Sequence, residues 1–303
     1  MENIYSLNDI QATSPERYGT GIRGLDFILN GGFVKGSTIL ASGTTGAGKS
    51  TLFLQIADYI ANVSHQKILY VAGEENKEQI KMRANRMLIN SDIIFMSEDV
   101  EVGNITDAIL QYQPKFVVID SLQMIYSLQI KQSPMTPTQM KNGLLTLSKV
   151  AKQTNTTIVF IGHATKGGFI AGLQTLQHMV DTILYVGIDE DTGSRYVEVK
   201  KNRFGISNLI WKMIMTENGV HDDPTNYTPE RIKDMNKIDP AYFQQIFDRH
   251  QIRGFLAKLS LSWLKKHQHD LQISPESHPV WKPLVEYSVG WLQKEAMKQG
   301  RRI

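Results

Sequence analysis

Cysteine is missing altogether from the 303 residues. Its absence excludes disulfides, a thiolate nucleophile and every cysteine-ligated zinc or iron–sulfur centre. Long apolar runs are missing too. None reaches the roughly eighteen residues that cross a bilayer, and no membrane contact is expected. The opening MENIYSLNDI carries neither the basic nor the apolar region of a secretory signal, so a cytoplasmic protein is the expectation. Nor is there a strong charge of one sign. The net charge is +3, with 13 lysines and arginines against 10 acids from His221 onward and balance before it. A surplus that small reads first as a solvated surface. With 41% hydrophobic and 21% charged residues, the composition is that of a folded protein rather than a disordered one.

Composition shifts near residue 220. Before it lie 20 of the 23 glycines; after it come six of the ten prolines and three of the four tryptophans. The division predicts an α/β domain over 1–220 and a C-terminal helical module over 221–303, joined by a linker at 221–230 where Pro224 and Pro229 interrupt regular pairing. In the first part, short Ile/Val-rich runs alternate with amphipathic ones, the pattern of a mostly parallel sheet covered by helices. Strands are predicted at 37–42, 67–73, 115–120, 157–162, 182–187 and 195–202. Helices are predicted at 49–62, 77–88, 105–111 and 140–154. In the tail, Asp239 before Pro240 reads as a helix start, and apolar spacing suggests three helices.

The strongest chemical signal is Gly43-Thr44-Thr45-Gly46-Ala47-Gly48-Lys49-Ser50, continued by Thr51. It follows an apolar strand and opens an amphipathic helix, the context a phosphate-binding loop requires. Its glycines let successive N–H groups point inward as an anion nest, and the helix N-terminus adds partial positive charge. Lys49 is placed to reach the β- and γ-phosphates of ATP, and the Ser50 hydroxyl to ligate Mg²⁺. Downstream, Phe116-Val117-Val118-Ile119-Asp120 is a buried strand delivering a carboxylate to the same edge, where Asp120 can hold a metal-bound water. Glu74 and Glu75 end another strand there, and one of them can orient the attacking water. His163, closing a further strand, is a candidate γ-phosphate sensor.

Together these residues resemble the RadA/Sms proteins, RecA-fold ATPases of DNA recombination. The lead-in Thr20-Gly-Ile-Arg-Gly-Leu-Asp26, the segment Tyr70-Val-Ala-Gly-Glu-Glu75 with Glu78-Gln-Ile-Lys-Met-Arg83, and Lys201-Asn-Arg-Phe-Gly205 are similar to that family's motifs in order, over roughly 6–220. The resemblance implies a RecA-like P-loop core assembled as a ring, usually a hexamer, with ATP between subunits. It implies that Glu74 activates water and that His163 couples the γ-phosphate to the following loop. Lys201 and Arg203 then act as fingers in the neighbouring subunit's site. It further implies that the loops 128–139 and 164–175, with Lys131, Lys166, Gly167 and Gly168, face single-stranded DNA.

Two departures stand against the family pattern. The four-cysteine zinc finger is not expected, since the sequence holds no cysteine, and a short helical tail is expected in place of the Lon-protease-like domain that family members carry. The expected function is an ATP-dependent motor on single-stranded DNA, of helicase or branch-migration type, with a K-x-R-x-G element also found in DnaB-type helicases. A strand-exchange recombinase filament and a KaiC-like switch ATPase are the alternatives.

Overall fold

The structure is a computed structural model and describes residues 6–9, 14–163, 174–223 and 226. The chain divides into units over Met1–Arg231 and Ile232–Ile303, and every described residue belongs to the first. The expected tail helices, Lys166, Gly167 and Gly168 lie outside the described residues.

In chain order the elements are β1 (Arg17–Tyr18), α1 (Arg23–Ile28), β2 (Phe33–Val34), β3 (Thr38–Gly43), α2 (Lys49–Ser64), β4 (Ile68–Ala72), α3 (Lys77–Arg86) and β5 (Ile94–Ser97). There follow α4 (Val102–Tyr112), β6 (Phe116–Asp120), α5 (Pro137–Thr154), β7 (Thr157–His163), β8 (Thr182–Ile188), β9 (Arg195–Asn202), β10 (Ile210–Thr216) and β11 (Gly219–Asp222). Nine strands form one sheet in the order β11-β10-β9-β8-β3-β7-β6-β4-β5. From β8 to β5 all neighbours are parallel. Beyond β8 the sheet turns antiparallel. The α/β class with a mostly parallel sheet is as expected from the sequence.

Helices on both faces explain why the central strands read as unbroken apolar runs. Ile39, Ala41, Tyr70 and Val118 point into the core shared with Leu52, Phe53 and Ile56 of α2. Their neighbours Leu40, Val71, Val117 and Ile119 point into a second core with Ile105 of α4 and Leu144 and Leu147 of α5. Alternation across the pleat thus fills two cores from one strand. Each fully buried Ile or Leu contributes roughly 1.5–3 kcal/mol.

Local chemistry sets the helix starts. Asn76 and Gln79 form a reciprocal capping box at α3. Thr136 caps α5 with Pro137 in its first turn, three residues earlier than the periodicity predicted. Glu101 caps α4 through the Asn104 N–H at 2.9 Å, so that helix also starts three residues early. The expected linker begins inside a strand: His221 and Asp222 belong to β11, paired with Ile214 and Met213.

Candidate nucleotide site

Every parallel strand ends at the same edge of the sheet, and the β3–α2 turn occupies its centre. Gly43 sits at φ 152°, where an added Cβ would lie 1.9 Å from the Val186 carbonyl oxygen. Thr44 N–H donates to that oxygen at 3.0 Å. Gly48 takes φ 101° with the Met215 methyl against its α-carbon. Only glycine fits either place. Thr45 and Gly46 form the exposed apex and Ala47 is buried.

Lys49 is buried, and its Nζ donates to the carbonyls of Gly43 at 3.0 Å and Thr44 at 2.9 Å. Burial lowers its pKa, against the opposing pull of Asp120 and Glu74. Asp120 is also buried and accepts the Tyr70 hydroxyl at 2.7 Å. Burial raises its pKa, while hydroxyl bonds from Ser50 and Tyr70 act the other way. Ser50 and Asp120 are therefore in contact, one hydroxyl beside one carboxylate. That all-oxygen pair suits Mg²⁺, which takes its remaining ligands from phosphate and water. No group of three or more metal-binding side chains occurs among the described residues.

The two adjacent glutamates have different partners. Glu75 forms a two-pronged ion pair with Arg83, both contacts at 2.6 Å. Glu74 turns to the site instead. It accepts a hydrogen bond from Ser121 and meets His163 Nε2 at 2.8 and 2.9 Å through its two oxygens. Burial pushes the Glu74 carboxyl up, but the Ser121 and His163 bonds, with the charges of His163 and Lys49, outweigh it. The net displacement is downward. A carboxylate held ionised in this way is available as a base.

The structure brings together Lys49, Ser50, Glu74, Asp120 and His163. It leaves Lys201 and Arg203 elsewhere. In the sheet register Gly43 pairs with Val186, whereas Asn202 pairs with Thr182 at the other end of β8. Four residues of strand, about 13 Å, separate those levels. Lys201 Nζ donates to the carbonyls of Gln177 and Val180, both at 2.7 Å. Arg203 meets Asp181 Oδ1 and the His178 carbonyl, both at 3.1 Å. Lys131 is exposed on the loop before α5.

Three arginines that the sequence reading passed over line the cleft, whose volume is about 610 Å³: Arg83, Arg86 and Arg195. Arg195 reaches the apex of the turn, donating to Gly46 O at 3.3 Å. The spacing of Arg83 and Arg86, three apart on the helix after the glutamates, was a readable sign that both share one face. Arg195 gave none, because only the antiparallel pairing of β9 with β8 carries it there.

A family model described as "ATPase: KaiC" matches residues 18–102. DNA repair protein RadA of Pseudomonas aeruginosa is 37% identical over 220 residues, 73% of this chain and 48% of that protein. The Escherichia coli and Bacillus subtilis proteins of the same name are each 36% identical, over 73% and 71% of this chain and 48% and 46% of their own lengths. This chain belongs to the RadA family of RecA-fold ATPases. It spans about half the length of the curated relatives it matches. A crystal structure of a KaiC-like protein from Pyrococcus horikoshii covers 69% of the chain and 100% of its own, with a TM-score of 0.58 and 21% identity, and so speaks to the fold. In this RadA-family chain the residues matched by the KaiC model include the glycine-rich turn, both glutamates, Arg83 and Arg86. No helix among the described residues is long and apolar enough to cross a membrane.

Proposed function

We propose that the chain is an ATP-hydrolysing motor on single-stranded DNA, of helicase or branch-migration type. It serves DNA repair and recombination as a ring oligomer, in the expected case a hexamer. The observation that carries this reading is the division of charge between the sheet's two edges. One edge holds the base, the metal ligands and Lys49; the other holds Lys201 and Arg203, out of reach of their own turn. A second subunit supplies what the first lacks.

Lys49 releases the Gly43 and Thr44 carbonyls for the β- and γ-phosphate oxygens. Ser50 and Asp120 would hold Mg²⁺, which would supply neutralisation of phosphate charge. Glu74 accepts the proton of a water that attacks the γ-phosphorus as the bond to the β-bridging oxygen breaks. His163 restrains Glu74 and immediately precedes the loop at 164–175, the expected DNA contact with Lys166, Gly167 and Gly168. Lys131 lies on the other expected DNA loop. Arg203, from the adjacent subunit, stabilises the transition-state charge.

ATP turnover with and without a single-stranded oligonucleotide tests this. Stimulation by DNA is expected, with an affinity that falls as salt rises at a log–log slope near −0.7 per phosphate neutralised. Turnover indifferent to DNA overturns the motor reading and favours a KaiC-like switch, which shares the lead-in and the paired glutamates.

A further inference from the structure

A hydroxyl lies deep in the core below the turn. Tyr70, on β4, is fully buried, and its ring packs in the core that the sheet shares with α2. Apolar residues fill the rest of that strand, so a phenol there needs a partner for its polar end. The partner is the carboxylate at the tip of the neighbouring strand: Tyr70 Oη donates to Asp120 Oδ2 at 2.7 Å. An ionised carboxylate only accepts, which fixes the direction of the bond.

The sheet register explains the reach. β4 and β6 run parallel, with Ala72 beside Asp120 and Tyr70 beside Val118. Tyr70 therefore lies two residues below the carboxylate, about 7 Å along the strand, and on the same face of the sheet. A phenol is long enough to span that rise. Ala72, between them, carries only a methyl and leaves the path clear. The bond engages one oxygen of Asp120 and fixes the plane of the carboxylate from within the core. The Ser50 hydroxyl meets the same carboxylate from the start of α2. Carboxylates that ligate metals are themselves held by hydrogen bonds, and loss of such an outer partner weakens the metal.

We infer that Tyr70 is a positioning residue for Asp120: its hydroxyl sets the orientation of the carboxylate toward the Mg²⁺ that Ser50 and Asp120 would share. The inference rests on the reading of that pair as the metal ligands and can be separated from it. Binding of ADP to the full chain is measured first in EDTA and then as Mg²⁺ is titrated in, with a melting curve for each variant. Tyr70→Phe keeps the ring and removes the hydroxyl. Its ADP affinity in EDTA is expected to match that of the parent chain, while the Mg²⁺ concentration at half-effect rises about tenfold. Ala72→Val crowds the hydroxyl without removing it and is expected to raise the same midpoint less. That variant decides the matter should Tyr70→Phe not fold. On an Asp120→Asn background, Tyr70→Phe is expected to add no further loss, because it acts through Asp120. An unchanged Mg²⁺ midpoint overturns the inference. So does a further loss on the Asp120→Asn background, or an ADP affinity that falls as much in EDTA as with Mg²⁺, since either makes Tyr70 a packing residue. If Asp120→Asn itself leaves the Mg²⁺ response intact, the metal-ligand reading fails and the role of Tyr70 falls with it.

Discussion

The two edges of the central sheet use charge in contrasting ways. At the P-loop edge, Lys49, Asp120, Glu74 and His163 are packed against one another, and burial or short bonds displace the pKa values of the first three. At the far edge, Lys201 and Arg203 are occupied with main-chain carbonyls at the end of a short 3-10 helix (Gln174–His178) and with Asp181. Burial lowers the Lys201 pKa too, with the Arg203 charge adding to it. One edge packs its charges together beside the glycine-rich turn. The other holds two cations on main-chain carbonyls and on the buried carboxylate of Asp181, away from the turn.

Breaking the P-loop edge has the largest expected effect. Lys49→Ala is expected to abolish ATP hydrolysis in a steady-state assay. Arg195 and Arg83 line the cleft, but Arg195 is turned to the Gly46 carbonyl and Arg83 to Glu75, so neither replaces it.

Breaking the far edge is next. Arg203→Ala is expected to cut turnover ~10³-fold or more, the scale of a lost arginine finger, while nucleotide binding persists. Mixing it with Lys49→Ala subunits is expected to restore some activity, because a fraction of interfaces then pairs an intact turn with an intact finger. If mixed, subunit-exchanged samples recover nothing, the two edges do not cooperate across subunits. Arg203 is then merely the partner of Asp181, and the loss appears as a lowered Tm.

Within the P-loop edge the two glutamates sharpen the contrast. Glu74→Gln is expected to slow hydrolysis ~10²-fold or more with ATP binding intact. Its lowered pKa keeps the base ionised, so wild-type kcat is expected to hold until pH falls below the ordinary glutamate range. The acid limb should vanish in Glu74→Gln. Glu75→Gln breaks an ion pair with Arg83 instead, and its turnover is expected to change less. A reversed ranking reassigns the base to Glu75.

Much of this was written in local sequence. Gly43, Gly48, Lys49 and Asp120 are legible because a turn with two tight glycines and a doubly buried strand each demand particular residues in a row. Sequence spacing does not tell Glu74 from Glu75; the ion pair of Glu75 with Arg83, eight residues on, and the bonds of Glu74 to Ser121 and His163 give the two different surroundings. β10 escaped notice because its residues alternate: Trp211 and Met213 are buried while Ile210, Lys212 and Ile214 are exposed, so no apolar run announces a strand. β5 is short and half-buried at the sheet's edge. The Arg195 contact depends on an antiparallel register fixed by the whole sheet, and the hold of Arg203 on Asp181 closes a segment 22 residues long. Neither is a property of any window of sequence.

The smallest expected effect on turnover separates titration at the P-loop edge from titration of the fold itself. Asp26, in α1, is fully buried, and burial raises its pKa to about 7. The Thr20 N–H at 2.6 Å opposes that rise and the Asp222 charge adds to it. Unfolded, the same group ionises near 3.8. Between those values the native state keeps a proton that the unfolded state has lost, so stability falls as pH rises from about 4 towards 7 and is level above it. The slope approaches about 1.4 kcal/mol per pH unit, the limit for one proton. This is opposite in sign to Glu74, whose lowered pKa adds stability above its unfolded value that is lost as pH falls. Asp26→Asn keeps the acceptor for Thr20 and removes the proton. Denaturant unfolding of the variant is expected to lose the falling limb between pH 4 and 7, while the acid limb of kcat stays where Glu74 sets it. A kcat profile that moves with Asp26→Asn assigns that limb to the fold rather than to the base.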